Sequence, residues 1–516
     1  MANTPKKLEI HKFDKASPLH KLPDFRQKNY LIRYLADLGA QTVLEEPNYF
    51  DRDYLAEFAA FYCKSTAGYP NTCRRLHFFA GAAFNRSTLR SAAAGRERAI
   101  KRLQENYLGF VVIRPIPATP LGRTVLAWYE DLKPETPRVV TPSRDYHAHV
   151  AGIRLTVHGL AWQQQDTGVG ACATVGLWSM LHSSAFDDHH AIPTTADITQ
   201  AAHQTASMGD RVFPSSGLSI EQVREAIKEH DLSPIVFNGD LAAVAGVKGF
   251  SIERFSSSCA SLIRSGYPVL IVGQLGTAGL HAVCAVGFRS CPPSTVASGQ
   301  INLQDSHIPN LYIHDDNIGP SARLKVVNKG PTAPVELVPD SPPSLTKPAL
   351  PDPIGDYPPF TPHLLLVAAH NDLRTSPDTL HRCGITTAKY LAQILQLYYQ
   401  NTGKSSPGLT LSTRYLKLSE YMTYELHGLL KDRPQILARV RLQLAEKVQP
   451  MSLHLGIVRI GLDDATPLAD ILYDTTDNDR NHPAFAHVFY ADAIGAFMSS
   501  LHSQGVLDLG VGVSAC

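Results

Sequence analysis

Apolar residues recur at helical spacing over residues 29–38 and 54–62, and a charged stretch over 96–105 keeps that period until near Asn106. The period then changes. GFVVIRPIP (109–117) and RTVLAWYE (123–130) are rich in β-branched and aromatic residues and bounded by Pro or Gly, which predicts strands. IRLTVHGLAW (153–162) alternates like a half-buried strand, and CATVGLWSML (172–181) returns to helical spacing after the loop DTGVGA. Ser219-x-x-Gln222 is a capping box that predicts a helix over about 220–230. SSSCASLIRSG (256–266) predicts another helix, and PVLIVGQL (268–275), HAVCAVGF (281–288) and LYIHDD (311–316) predict strands. The last third predicts helices over 386–400, 421–430 and 434–448, then strands over 453–461 and 469–477.

This pattern places the chain in the α+β class. Eleven of its 36 prolines fall between Pro331 and Pro362, a density that opposes both helix interiors and central strands. The segment is therefore expected to be a long connector, extended or laid along a surface. A softer break falls over 133–144, in KPETPRVVTPSR. The expected organisation is an N-terminal mixed α/β accessory region (1–140), a middle domain (145–330), a proline-rich connector (331–362) and a C-terminal α+β accessory domain (363–516).

With 516 residues, 44% of them apolar, the chain is long enough for more than one core. Its net charge of +1 provides no overall field to draw it to nucleic acid or anionic lipid. The N-terminal twenty residues lack the apolar core of a signal peptide, and no apolar run approaches the length of a bilayer span. The eight cysteines contain no CxxC pair, so a reducing, cytoplasmic setting is expected, with neither a zinc site nor a disulfide framework. No P-loop and no GxGxxG after a strand is present, and no cofactor is expected.

Chemistry is most readable in the middle section. Cys172 opens a predicted helix, where the macrodipole and unpaired N–H groups favour a negative charge. Upstream lie Gln163, Gln164 and Gln165, and a side-chain amide is one way to bind a developing oxyanion. Downstream, His281 heads a strand, and LYIHDDNIGP delivers Asp315 and Asp316, either of which could orient the histidine.

Gln, Cys, His and Asp in this order resemble the papain-like cysteine peptidases, in particular the bacterial branch that includes the double-glycine leader peptidases. The likeness rests on a cysteine entering a helix after a Gln-containing loop, on G-x-P and a short turn before HAVCAVGF, and on a strand ending in an acid shortly before Gly. It covers about 180 residues. D-N-I-G is similar to the N-S-W-G of papain and places Asp316 at the orienting position. The resemblance implies a catalytic helix packed on an antiparallel sheet, with Cys172 as nucleophile, His281 as base, Asp316 as its orienting acid and Gln165 in the oxyanion hole. Gln165 lies seven residues before Cys172 where the family has six, so Gln164 stays a second candidate and Asp166 stands in the usual place. The implied activity is hydrolysis of peptide or isopeptide bonds in a protein or peptide substrate. The flanking sections are expected to restrain the site or to meet a regulatory protein partner.

The same constellation serves transglutaminase-like acyl transfer or deamidation, and a catalytically inactive papain-like binding scaffold is a third class. The remaining polar clusters read as structural. Asp187, Asp188, His189 and His190 are consecutive and diverge on any regular element, so no metal site is expected there. GRERAIKRLQ (95–104) reads as a solvated helix face, His314 as a strand residue, and Asp474 with Asp477 as a solvated turn.

Overall fold

Successive side chains of a strand point to opposite faces, and that rule sorts the N-terminal section into two cores. Val43, Leu76, Phe78 and Val111 pack with Leu31, Tyr34 and Leu35 of helix Arg26–Asp37, whereas Leu44, Phe79, Phe110 and Val112 face the main core. Their strands, Thr42–Tyr49, Cys73–Phe79 and Tyr107–Ile113, join Glu9–Lys12 and Leu121–Leu126 in a five-stranded antiparallel sheet. The strands over 42–49 and 73–79 are absent from the sequence reading because charges interrupt them. Those charges pair across the strands, Arg74 with Glu45 at 3.1 Å and Arg75 with Glu46 at 2.6 Å. The structure is a computed structural model that describes residues 7–515 except 132–134, 167, 187–190, 205–210, 216, 243–245, 292–295, 347, 448–452, 463–465, 477–483 and 491.

The middle section builds an eight-stranded antiparallel sheet. Six of its strands run in a ring: Val269–Leu275, Gly279–Arg289, Asn310–Asp315, Gly319–Val327, Glu336–Pro339 and Phe360–His370, the last pairing again with the first. The ring closes at Phe360, which stands opposite both Leu275 and Leu337. Leu232–Asn238 and the short Arg138–Val139 attach to its outside. Helix Cys172–Leu181 lies against three of these strands and is buried from Ala173 to Leu181, so its position is set by packing on all sides. The capping box of Ser219 and Gln222 is present and opens helix Ile220–Glu229.

In the C-terminal section, Ser376 caps a helix with proline at its first turn, and Gly403 ends it in the left-handed conformation that glycine adopts without strain. This helix, Pro377–Thr402, begins nine residues earlier than the apolar period indicates. It packs on a six-stranded sheet of Ile301–Leu303, Leu409–Lys417, His454–Leu462, Pro467–Asp474, Ala486–Phe489 and Val511–Ser514, whose first and last pairings are parallel. A second core, including Leu430, Val440 and Ile457, lies under helix Pro434–Lys447.

The α+β class holds, but the expected boundaries at 330 and 362 do not coincide with the sheets. Strand Glu336–Pro339 from the proline-rich segment and strand Phe360–His370, which starts at its end, belong to the middle sheet, and Ile301–Leu303 belongs to the C-terminal one. The proline-rich segment is also docked. Arg26 pairs with Asp356 at 3.2 Å, Asp37 accepts the Leu345 N–H at 2.8 Å, and Arg33 donates to the carbonyls of Pro342 and Pro351. Prolines fit here because strand Glu336–Pro339 is short and side-chain donors meet the carbonyls. Among the described residues, no helix is long and apolar enough to cross a membrane.

Candidate active site

Helix Cys172–Leu181 starts at Ala171 with no side-chain cap, so its first N–H groups stay available to an anion beside Cys172. The thiol is half-buried beside the His281 ring, whose pKa it helps to raise. His281 is the third residue of strand Gly279–Arg289 and is 6% exposed. Its Nε2 lies 3.0 Å from Oδ1 of Asp315, which leaves Nδ1 for the thiol.

Asp315, the last residue of its strand, is the acid that the fold equips for orienting His281. The Tyr357 hydroxyl donates to its Oδ2 at 2.6 Å, the Asn317 N–H donates to its Oδ1 at 2.8 Å, and the Trp162 indole N–H donates to its carbonyl at 2.9 Å. Burial alone would raise its pKa, yet ionic attraction and a hydrogen bond from His281, with the hydrogen bonds from Tyr357 and the Asn317 N–H, hold it below the usual carboxylate value. Asp316, the expected orienting residue, stands farther off at 3.5 Å from Nε2, and its Oδ2 is buried with no hydrogen-bond partner. Burial pushes Asp316 up to about 7, against attraction from His281 and with repulsion from Asp315. A register shift falls between Ile313 and Asp315, just where the strand delivers both acids to the histidine.

For His281 itself, burial is the largest influence and would depress its pKa. Attraction from Asp315, hydrogen bonds to Asp315 and Cys172, and attraction from Asp316 outweigh it, so the ring is raised well above 6.5 and favours imidazolium. His314 is different. Its Nε2–H donates to the Leu160 carbonyl at 3.1 Å and its Nδ1 accepts the Ser321 N–H at 3.0 Å, and burial takes it down to about 4. It is a neutral strand residue that ties two segments together.

The three glutamines separate by their partners. Gln163 donates to Glu57 at 3.1 Å, and Gln164 uses its side-chain oxygen to accept the Leu121 N–H at 3.3 Å. Only Gln165 turns toward the site, with its amide 3.5 Å from Oδ1 of Asn317, whose own amide nitrogen is 3.4 Å from His281 Nε2. Asp166 organises the loop between Gln165 and Cys172: one oxygen accepts the N–H groups of Gly168, Val169 and Gly170 at 2.7, 2.6 and 3.1 Å. Its other oxygen meets Arg114 at 3.3 Å, and Arg114 also meets Glu57 at 3.0 Å and the Gln164 carbonyl at 3.0 Å.

The N-terminal section, in which the sequence showed no catalytic cluster, thus supports the site from two sides. Arg114 and Glu57 hold the loop before Cys172, and Gln27 donates to the Asp316 carbonyl at 2.8 Å while Tyr30 donates to that of Pro320 at 2.9 Å. Gly319 has to be glycine here, since a β-carbon would stand 2.3 Å from the Tyr30 ring. Nothing in the sequence pattern of Arg114, Glu57 or Tyr357 marks them, because each reaches the site from more than 40 residues away in the chain. No protein-family model matches this chain, and no match was found among curated proteins.

Asp474 accepts from the Thr476 N–H and hydroxyl at 2.8 and 2.7 Å, as expected of a turn. Asp477, Cys516 and the run Asp187, Asp188, His189 and His190 lie outside the described residues.

Proposed function

We propose that the chain is a cysteine peptidase of papain-like design that cleaves peptide or isopeptide bonds through an acyl-enzyme. The observation that carries the reading is the single ring of His281, which interacts with Cys172 and stands 3.0 Å from Asp315. In the reaction, Cys172 Sγ attacks the carbonyl carbon, and the carbonyl oxygen gains the electron pair beside the uncapped helix N-terminus and the Gln165 amide. His281, as imidazolium, passes its proton to the leaving nitrogen as the C–N bond breaks. It then takes a proton from water, which attacks the thioester and frees the cysteine. Asp315 keeps Nε2 occupied throughout, so that Nδ1 remains the working nitrogen.

The test pairs reactivity with product. Iodoacetamide at about pH 6 should label Cys172 ahead of the exposed Cys63, and His281→Ala should abolish that preference. Cells expressing the wild type should then show new protein termini that are absent with Cys172→Ala. New crosslinks or deamidated glutamines in place of termini would reassign the acyl acceptor. Equal labelling of Cys172 and Cys63 with no product of any kind would leave only a binding scaffold.

A further inference from the structure

The proline-rich segment does not lie flush against the parts it docks on. Where it passes helix Arg26–Asp37, a cavity of about 220 Å³ remains between Tyr30 and Tyr34 of the helix, Arg323 of strand Gly319–Val327, and Pro353 and Ile354 of the segment. Tyr129, edge-on to Tyr34 at 5.7 Å between centroids, completes the aromatic side. The Tyr30 and Tyr34 hydroxyls are already donated to the carbonyls of Pro320 and Ala127, at 2.9 and 3.0 Å. What these two rings offer the cavity is apolar surface.

One group in the lining is different. Arg323 spends its Nε on Asp340, 2.7 Å from the carbonyl and 2.9 Å from Oδ2, and its two Nη groups make no hydrogen bond among the described residues. Its side chain keeps 13% of its surface exposed. The other charges of the lining are paired or solvated: Arg33 stands 3.4 Å from Asp352, Arg289 stands 2.8 Å from Asp131, Asp37 accepts the Leu345 N–H at 2.8 Å, and Glu130 is exposed. An open guanidinium edge matches a carboxylate in a bidentate pair. The cavity's size limits what the carboxylate can carry. A dry cavity of about 150 Å³ takes up benzene, so 220 Å³ has room for one ring on a short acid-bearing chain.

We propose that this cavity binds a small aromatic monocarboxylate, with its ring among Tyr30, Tyr34 and Pro353 and its carboxylate on the Nη groups of Arg323. Apolar walls with a single convergent polar group are the usual make-up of a small-molecule site, and such sites favour junctions between sections of a fold. The ligand bridges helix Arg26–Asp37 to the proline-rich segment and holds the segment down. The Ile354 carbonyl accepts the Tyr357 N–H at 3.0 Å, so the clamp reaches the residue that fixes Asp315. Binding itself does not depend on the peptidase reading.

The test is calorimetric titration of the full-length protein at about pH 7, where carboxylates are ionised, with hydrocinnamate, with benzoate and with the neutral hydrocinnamamide. The expected result is one site per chain for hydrocinnamate, weaker by about tenfold or more for the amide and by a similar factor in Arg323→Gln, since a hydrogen-bonded charge is lost in each case. Arg323→Lys keeps a cation beside Asp340 without the fork and should also weaken binding; it decides if melting curves show that Arg323→Gln does not fold. At ten times its Kd, hydrocinnamate should slow proteolytic nicking at 349–352 by about tenfold in the wild type. The acid–amide comparison and the nicking rate need no variant. Equal affinity for acid and amide, equal affinity in the wild type and a folded Arg323 variant, binding that leaves nicking unchanged, or no saturable binding of either acid would overturn the proposal.

Discussion

The Tyr357 hydroxyl donates to Oδ2 of Asp315 across 2.6 Å, so a residue from the proline-rich segment fixes the acid that holds His281. The segment is therefore part of the candidate site.

Because Asp315 makes the short contact, Asp315→Ala should lower kcat about 10²–10⁴-fold, while Asp316→Ala should cost less than about tenfold. Tyr357→Phe should fall between them, since a hydrogen bond to a charged group contributes about 1.5–3 kcal/mol, and should leave KM nearly unchanged. Steady-state kinetics on a cleaved substrate would read all three. Equal losses at Asp315 and Asp316 would mean that the pair acts as one unit.

Asp316 gives a pH signature in stability. Its carboxyl is raised from 3.8 to about 7, so its favourable contribution is complete below about 3.8 and is lost as pH rises through 7. Asp316→Asn removes this dependence. Melting temperatures of the wild type should therefore fall relative to the variant between about pH 4 and pH 7, with a constant difference above; a difference independent of pH would contradict a raised carboxyl.

Arg114 is enclosed with Glu57 and Asp166, all three nearly inaccessible to water. Arg114→Met would leave two buried carboxylates without their cation and should cost about 3–5 kcal/mol in denaturant unfolding. Arg114→Lys keeps the charge but loses the fork that spans both acids and the Gln164 carbonyl, so turnover should stay depressed even where stability is largely recovered. Full recovery of turnover by lysine would show that charge alone suffices.

Limited proteolysis should cut the exposed stretch around Ala349–Asp352 and spare Glu336–Pro339 and Phe360–His370. The two fragments should co-elute under native conditions, because the second supplies a strand between Val269–Leu275 and Leu232–Asn238. Separation of the fragments would restore the idea of a free connector.

Local order made much of this legible. Helix Cys172–Leu181 coincides with its apolar segment, His281 sits near the head of its strand, and the two adjacent aspartates close another. The choice between Asp315 and Asp316 was not legible, because both reach His281 and only their distances and the partners of Asp315, Tyr357 among them, separate the two. Gln165 could be distinguished from Gln163 and Gln164 only by the partners of the other two, Glu57 and Leu121, which lie in another section. The proline-rich segment misled for a physical reason. Proline density opposes sheet centres, yet four residues suffice for strand Glu336–Pro339, and Phe360–His370 begins in the last three residues of the run, with Pro362 paired opposite Gly273.

The ring of strands that closes at Phe360 sets an order of assembly. During synthesis, Cys172, His281 and Asp315 all leave the ribosome before the strand that completes their support and before Tyr357. A chain interrupted near residue 330 would present two open strand edges, at Val269–Leu275 and Gly319–Val327, and an Asp315 without its tyrosine. Competence of the candidate site is thus tied to translation past His370, so a chain stopped before that point carries Cys172 without the geometry to use it.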